Sequence, residues 1–182
     1  MTEQDAARWN RRYREHGPLT ADEVGLPACF QPFADLFPTR GHAVELACGA
    51  GAASVWLARR GLRVWACDAS AVAIAQARGL AEKCGQAARC RFDIVDLDTG
   101  LPAGDAADVL LCNKFRDARL DASIIDRLAV GGILAISALS EVGATPGRFR
   151  AGAGELFTAF AALETIAHGE EHGEAWLLAR RR

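Results

Sequence analysis

Val44-Glu45-Leu46-Ala47-Cys48-Gly49-Ala50-Gly51 is an apolar run ending in two closely spaced glycines, with one carboxylate, Glu45, four residues before the first of them. It reads as the end of a buried strand, a glycine turn and the start of a helix near Ala52. Seventeen residues after Gly51 a second strand-like run, Leu62-Arg63-Val64-Trp65-Ala66-Cys67, ends on Asp68. Strand, glycine turn, helix and a second strand closing on an acid describe a nucleotide site. The glycines bring backbone close to the ligand, and the terminal carboxylate suits a ribose diol. Glu45 narrows the choice of nucleotide. A pyrophosphate seated on the helix N-terminus is opposed by a nearby carboxylate, whereas a ligand carrying an ammonium and a sulfonium is favoured by it.

Working outward, the period is regular. Strand 42–47 leads to helix 51–60, strand 62–67 to helix 70–84, and strand 89–94 to a loop through Gly100, Pro102 and Gly104. Strand 107–112 leads to helix 117–129, stopped by Gly131-Gly132, and strand 133–138 follows. Strands alternating with helices of this length predict an α/β fold with a parallel sheet and helices on both faces. Upstream, residues 3–16 read as a helix with Ala6, Trp9 and Tyr13 on one face, and a short helix is expected near 29–36. Downstream the pattern breaks. A loop rich in small residues spans 140–153, a helix follows at 153–160, and β-like runs at 162–168 and 174–180 are joined by a short link. That link predicts a hairpin, hence an antiparallel last strand.

Bulk properties exclude several classes. The 182 residues suit one domain with a full core, and an apolar fraction of 51% argues for a globule over a disordered chain. A formal charge of −2 gives no general attraction to nucleic acid or to an anionic membrane. No apolar run approaches a membrane span, and no secretory signal is apparent at the N-terminus. The six cysteines (29, 48, 67, 84, 90 and 112) form no CxxC pair and read as small buried residues of a reduced, cytoplasmic protein. No metal site is expected.

This order of elements and motifs resembles the class I S-adenosylmethionine-dependent methyltransferases over about residues 5–181. Glu45 to Gly51 looks like that family's first motif, Asp68-Ala69-Ser70 like its ribose-binding acid, and Phe92 to Asp98 like its adenine segment. Ala107 to Asn113 looks like the fourth strand, and Leu128 to Leu134 like the turn into strand five. The opening Trp9-Asn10-Arg11-Arg12-Tyr13 and the small size are similar to the tellurite-resistance and thiopurine-type small-molecule enzymes. The resemblance implies a Rossmann-like, doubly wound, mostly parallel seven-stranded sheet. Within a single structural domain, residues 1–40 are expected to form an N-terminal helix and cap or lid, and residues 41–182 the cofactor-binding part.

The implied cofactor is S-adenosyl-L-methionine, leaving as S-adenosyl-L-homocysteine. Its expected contacts are Glu45, Ala47, Cys48, Gly49, Gly51, Asp68, Ala69, Ser70, Asp96, Leu97 and Asn113, with Asp93 and Asp98 competing for the role of Asp96. Asn113, Lys114 and Arg116 border the acceptor as catalytic candidates, and Trp9, Arg12, Tyr13 and Arg148 are substrate or lid candidates. Arg148 and Arg150 lie in the 140–153 loop, a candidate gate for an anionic acceptor. The segment 113–116 offers cations and an amide but no base, which suits a small soft or anionic sulfur, selenium, tellurium or oxygen nucleophile. It also lacks the Asn/Asp-Pro-Pro-Tyr/Phe pattern of enzymes acting on exocyclic base nitrogens, which argues against nucleic acid. The expected assembly is a monomer or homodimer.

Two other readings compete: an NAD(P)-dependent Rossmann oxidoreductase, and a non-catalytic cofactor-binding domain. His168 and His172 flank two glutamates in the hairpin link, which is expected to be a solvated turn far from the cofactor edge.

Overall fold

Short apolar runs bounded by alanine-rich helical stretches fold as parallel strands with helical crossovers, because parallel neighbours cannot be joined by a tight turn. The computed structural model describes residues 3–145 and 150–182, in two compact units, Met1–Gly100 and Leu101–Arg182. The fold is α/β, with mostly parallel strands and an antiparallel strand near the C-terminus.

In the first unit, α1 (Glu3–His16) is followed by 3₁₀ turns at Ala21–Glu23 and Ala28–Leu36. Pro32 lies inside the second turn, where its missing N–H rules out a regular α-helix. Then come β1 (His42–Leu46), α2 (Ala52–Arg59), β2 (Arg63–Asp68), α3 (Ala71–Lys83) and β3 (Cys90–Ile94). The strand order is β3-β2-β1, all parallel, and the register pairs Leu46 with Cys67 and Asp68 with Ile94. The carboxyl ends of the three strands therefore share one edge, and the glycine turn, Asp68 and the residues after β3 lie along it. Ala43, Val44 and Leu46 of β1 are fully buried.

The second unit holds β4 (Ala107–Cys112), α4 (Asp121–Arg127), β5 (Leu128–Ser140), β6 (Arg150–Ala151), α5 (Glu155–Ala159), β7 (Glu164–Glu171) and β8 (Glu174–Arg180). Its order is β4-β5-β8-β7, with the two-residue β6 added beside the end of β5, so eight strands are described where the resemblance implied seven. Two elements differ in extent from expectation. The helix expected over 117–129 is a 3₁₀ turn (Ala118–Leu120) followed by α4, and β5 begins already at Leu128. Gly131 N–H donates to Arg181 O (2.7 Å), and Arg181 N–H donates to Gly132 O (2.9 Å). The C-terminal chain thus draws the double glycine, a helix stop in the sequence, into the sheet.

The hairpin also differs. β7 continues to Glu171 and the turn is only His172-Gly173, both left-handed (φ 53° and 76°), as a two-residue type I′ turn requires. β8 pairs antiparallel with β5, matching Leu139 to Glu174. The turn therefore sits beside the carboxyl end of β5, on the edge where ligands of open α/β folds bind. β7 runs in the same direction as β5, so its end reaches the carboxyl end of β5.

Gly51 fixes how closely α3 approaches the glycine turn. It is left-handed (φ 84°), and a Cβ there would lie 2.8 Å from Ala77 Cβ and 3.1 Å from Ala77 Cα. Gly51→Ala combines left-handed strain with overpacking and should cost about 2–4 kcal/mol, read as a lower urea midpoint at unchanged m-value.

Candidate functional site

The turn after β1 is built from alternating left-handed residues: Ala47 (φ 51°), Gly49 (54°) and Gly51 (84°). Ala47 carries a Cβ in this conformation, a cost that the surrounding bonds must hold in place. Cys48 N–H donates to Cys67 O (2.9 Å), and Gly51 N–H donates to Cys48 O (3.0 Å). Gly51 then starts α2, its carbonyl accepting from Val55 N–H. Gly49 and Gly51 have different reasons to be glycine. Gly51 gives way to α3, as above. A Cβ on Gly49 would lie 2.7 Å from the Tyr13 hydroxyl of α1, so its bare face is turned toward that ring.

Asp68 joins the turn to the next element. Its Oδ2 accepts from Gly49 N–H (2.9 Å) and its Oδ1 from Ser70 N–H (2.8 Å). Ser70 caps α3, its Oγ accepting from Ala73 N–H (3.1 Å), a cap worth about 1 kcal/mol. Burial raises the Asp68 pKa, while the N–H groups of Ser70, Gly49 and Ala69 pull it back down.

Past β3, Val95 N–H donates to Asp68 O (3.0 Å), which sets the start of this segment directly beside Asp68. Asp96 Oδ1 accepts from Asp98 N–H (3.0 Å) at the head of a 3₁₀ turn, Leu97–Thr99, in which Leu97 is buried. Asp93 is engaged elsewhere: Trp65 Nε1 donates to its Oδ2 (2.8 Å), and Arg91 pairs with the same oxygen. Asp93 is thus committed to side-chain partners on β2 and β3.

Glu45 is 3% exposed and accepts a hydrogen bond from Ser54 Oγ–H on α2. Burial drives its pKa up to about 8, and the negative charge of Asp68 adds to the rise. Ser54 is the site residue that motif reading overlooked. Its signal was a serine within the apolar start of α2, placed where a buried acid needs a donor. The thiols nearby are inert for the same physical reason: burial raises Cys48 well above its ordinary value and Cys67 and Cys90 to about 12. Cys48 is therefore a packing residue of the turn.

α1 lies against this turn. Asn10 Oδ1 accepts from Ser70 Oγ–H (2.7 Å) and Val72 N–H (3.2 Å), and Gln76 Nε2 donates to Tyr13 O (2.9 Å). Tyr13 keeps its proton, because burial and the Asp68 charge both raise its pKa. Trp9 is 6.3 Å from the Tyr13 ring, centroid to centroid, and the Arg12 guanidinium lies 5.2 Å from the Trp9 centroid. Of the lid candidates, Tyr13 is thus the one placed at the turn, with Arg12 stacked on Trp9. A separate apolar groove of about 450 Å³ runs along α3, lined by Pro18, Val72, Ala75, Gly79 and Lys83 among others.

In the second unit, the chain after β4 is locked to β5. Ser137 Oγ–H donates to Asn113 Oδ1 (2.8 Å), and Lys114 N–H donates to Ser137 Oγ (3.0 Å), with Lys114 left-handed (φ 55°). Lys114 Nζ lies 3.3 Å from Glu174 Oε2 and remains half exposed. Arg116 is buried in a bidentate pair with Asp121 (2.5 and 2.9 Å) and donates to Glu155 Oε1 (2.7 Å). These bonds raise its pKa further despite the opposing effect of burial. It ties α4 to α5, which leaves Lys114 as the accessible cation of the three catalytic candidates. Arg150 donates to Ser140 O (2.6 Å), holding the loop that the sequence suggested as a gate. Arg148 lies outside the described residues. Among the described residues no cluster of His, Cys, Asp or Glu could hold a metal ion, and no helix is long and apolar enough to cross a membrane.

Residues 43–129 match a family described as "Methyltransferase domain". Among solved structures, TehB from Haemophilus influenzae is similar at 20% identity with a TM-score of 0.68, over 78% of this chain and 57% of that one. The chain thus spans little more than half of the TehB chain. Magnesium protoporphyrin IX methyltransferase (ChlM) from Synechocystis PCC 6803, with bound SAH, is similar at 16% identity and a TM-score of 0.69, over 99% and 95% of the two chains. The [4+2]-cyclase SpnF is similar at 19% identity and a TM-score of 0.64, over 77% and 74%. At these identities the likeness is one of fold. No curated protein sequence matches.

The Glu45 pKa sets a pH dependence. Raised from 4.5 to about 8 on folding, the acid binds more protons in the folded chain than in the unfolded one between those values. Its contribution to stability is therefore full below about 4.5 and is lost as pH rises toward 8. Glu45→Gln, which keeps an acceptor for Ser54 without a charge, should gain melting temperature relative to the parent as pH rises through this window. Parallel curves for the two proteins would contradict the assignment.

Proposed function

We propose that this chain, the carrier of a class I S-adenosylmethionine-dependent methyltransferase domain, transfers the cofactor's methyl group to a small-molecule acceptor, a soft or anionic sulfur, selenium, tellurium or oxygen nucleophile. The observation that carries the cofactor half of this reading is the pairing of the buried Glu45 with the half-buried Asp68 at a turn whose bare face is Gly49. Burial and the Asp68 charge raise the cost of further negative charge there, so Glu45 holds its proton up to about 8. A pyrophosphate would add to that cost, while an ammonium or sulfonium relieves it.

The residues present fit the group. Asp68 accepts Gly49 N–H on one oxygen and Ser70 N–H on the other, with Ala69 N–H also turned to it, and a carboxylate accepts about four bonds in all, so capacity remains for a ribose hydroxyl. Asp96 and Leu97, which follow the Val95 N–H bonded to Asp68 O, would hold the adenine end. Backbone at Ala47, Cys48 and Gly49 borders the methionine end, and Glu45 supports the ammonium through the turn. Bound there, S-adenosylmethionine supplies an electrophilic methyl carbon, and the protein's task is to align the acceptor behind it.

The acceptor half rests on segment 113–116. Asn113 is occupied by Ser137 and Arg116 by two carboxylates. The half-exposed Lys114 ammonium suits an acceptor that arrives already ionised. A thiolate or chalcogen anion needs no proton removed in the transition state, so the lack of a base there does not impede it.

Asp68→Ala should weaken S-adenosylhomocysteine binding by about 1.5–3 kcal/mol, the scale of lost charged hydrogen bonds, measured by calorimetry with a matched thermal melt as the folding control. Release of S-adenosylhomocysteine should be seen with a panel of thiols and of selenite- and tellurite-derived anions, and should fall on Lys114→Ala. Turnover confined to neutral alcohols or phenols would overturn the acceptor class. Tight cofactor binding with no turnover across the panel would favour the non-catalytic reading.

A further inference from the structure

We infer that α1 is a latched plug on the cofactor site and that Asn10 is its latch. The inference rests on the cofactor reading above and adds how entry to that site is controlled. Three contacts carry it. The Tyr13 hydroxyl sits where a Cβ of Gly49 would be, 2.7 Å from that position, against the bare backbone that the cofactor's methionine end must reach. One carboxamide oxygen, Asn10 Oδ1, accepts two hydrogen bonds from the start of α3, from Ser70 Oγ–H and Val72 N–H. Gln76, one turn further along α3, donates to the Tyr13 carbonyl. The helix is thus pinned at both ends of the Asn10–Tyr13 turn, and the pins hold the ring over the glycine.

Ser70 lies at the centre of the device. Its N–H binds Asp68 Oδ1, its Oγ accepts from Ala73 N–H, and its hydroxyl proton goes to Asn10. A ribose seated on Asp68 therefore acts on a carboxylate only one residue removed from the latch. Opening α1 breaks the Asn10 bonds and frees Gly49 for the cofactor. Asn10 touches no reacting atom, so its role is positional.

The chemistry of the latch separates it from a merely structural contact. It needs an acceptor and no donor at residue 10. Asn10→Asp keeps the acceptor, whereas Asn10→Leu removes it at similar volume. Stopped-flow binding of S-adenosylhomocysteine, followed by Trp9 fluorescence, reads both rates. The closed helix lowers the fraction of protein competent to bind. Losing about 1.4 kcal/mol of latch from two hydrogen bonds should then raise the association rate of Asn10→Leu about tenfold and leave its dissociation rate unchanged. Asn10→Asp should behave as the parent, and Tyr13→Phe should speed association with little change in melting temperature. An unchanged association rate in Asn10→Leu, with or without a lowered melting temperature, would overturn the latch. Failure of S-adenosylhomocysteine to bind parent and variants alike would instead overturn the cofactor reading, and the gate with it.

Discussion

Asp68 accepts Gly49 N–H with one oxygen and Ser70 N–H with the other, and most of the first unit's chemistry follows from that bridge. The strand ends of β1 and β2 are neighbours by register, but register alone leaves the loops after them unconstrained. The carboxylate fixes both. It holds Gly49 in its left-handed conformation and sets Ser70 where its side chain caps α3. The cap in turn offers a hydroxyl proton to α1. One acid at a strand end thus organises the glycine turn, the start of a crossover helix and the seat of the N-terminal helix.

The same acid makes the site expensive for anions. Glu45 sits under the turn on β1, buried and held by Ser54, and its proton is retained partly because Asp68 is close. Two carboxyl groups in so dry a place favour a ligand that brings positive charge. This is the physical distinction between this turn and one that cradles a pyrophosphate, and it is independent of the motif resemblance. The fold itself does not make the distinction: the similar solved structures include both a methyltransferase and a [4+2]-cyclase.

Much of this was legible in the sequence because it is local. The strand–glycine–helix pattern, the spacing from Gly51 to Asp68 and the alternation through β4 depend on neighbours along the chain, and the structure has them where the pattern put them. What escaped depends on distant partners. Gly131-Gly132 reads as a helix stop but is recruited into β5 by Arg181. The position of the hairpin turn needed the direction of β7, which no local pattern encodes. Arg116 looked like a cation free for the acceptor, but Asp121 and Glu155 claim it. Ser54 belongs to no motif, and Asn10 stands in the opening segment without a role assigned to it, since each matters only through one buried or capping partner across space. Gly51 was legible as a glycine but not for its reason, which is the approach of Ala77.

The central claim is that the Glu45–Asp68 turn selects a nucleoside cofactor that presents an ammonium over one that presents a pyrophosphate. Calorimetric titration of the protein with S-adenosylhomocysteine, run beside NADH, tests it most directly. The account predicts micromolar binding of S-adenosylhomocysteine, whose ammonium answers the two acids, and no heat from NADH. Binding of NADH with none of S-adenosylhomocysteine would contradict it, because a pyrophosphate would then be seated against the buried Glu45 and the half-buried Asp68.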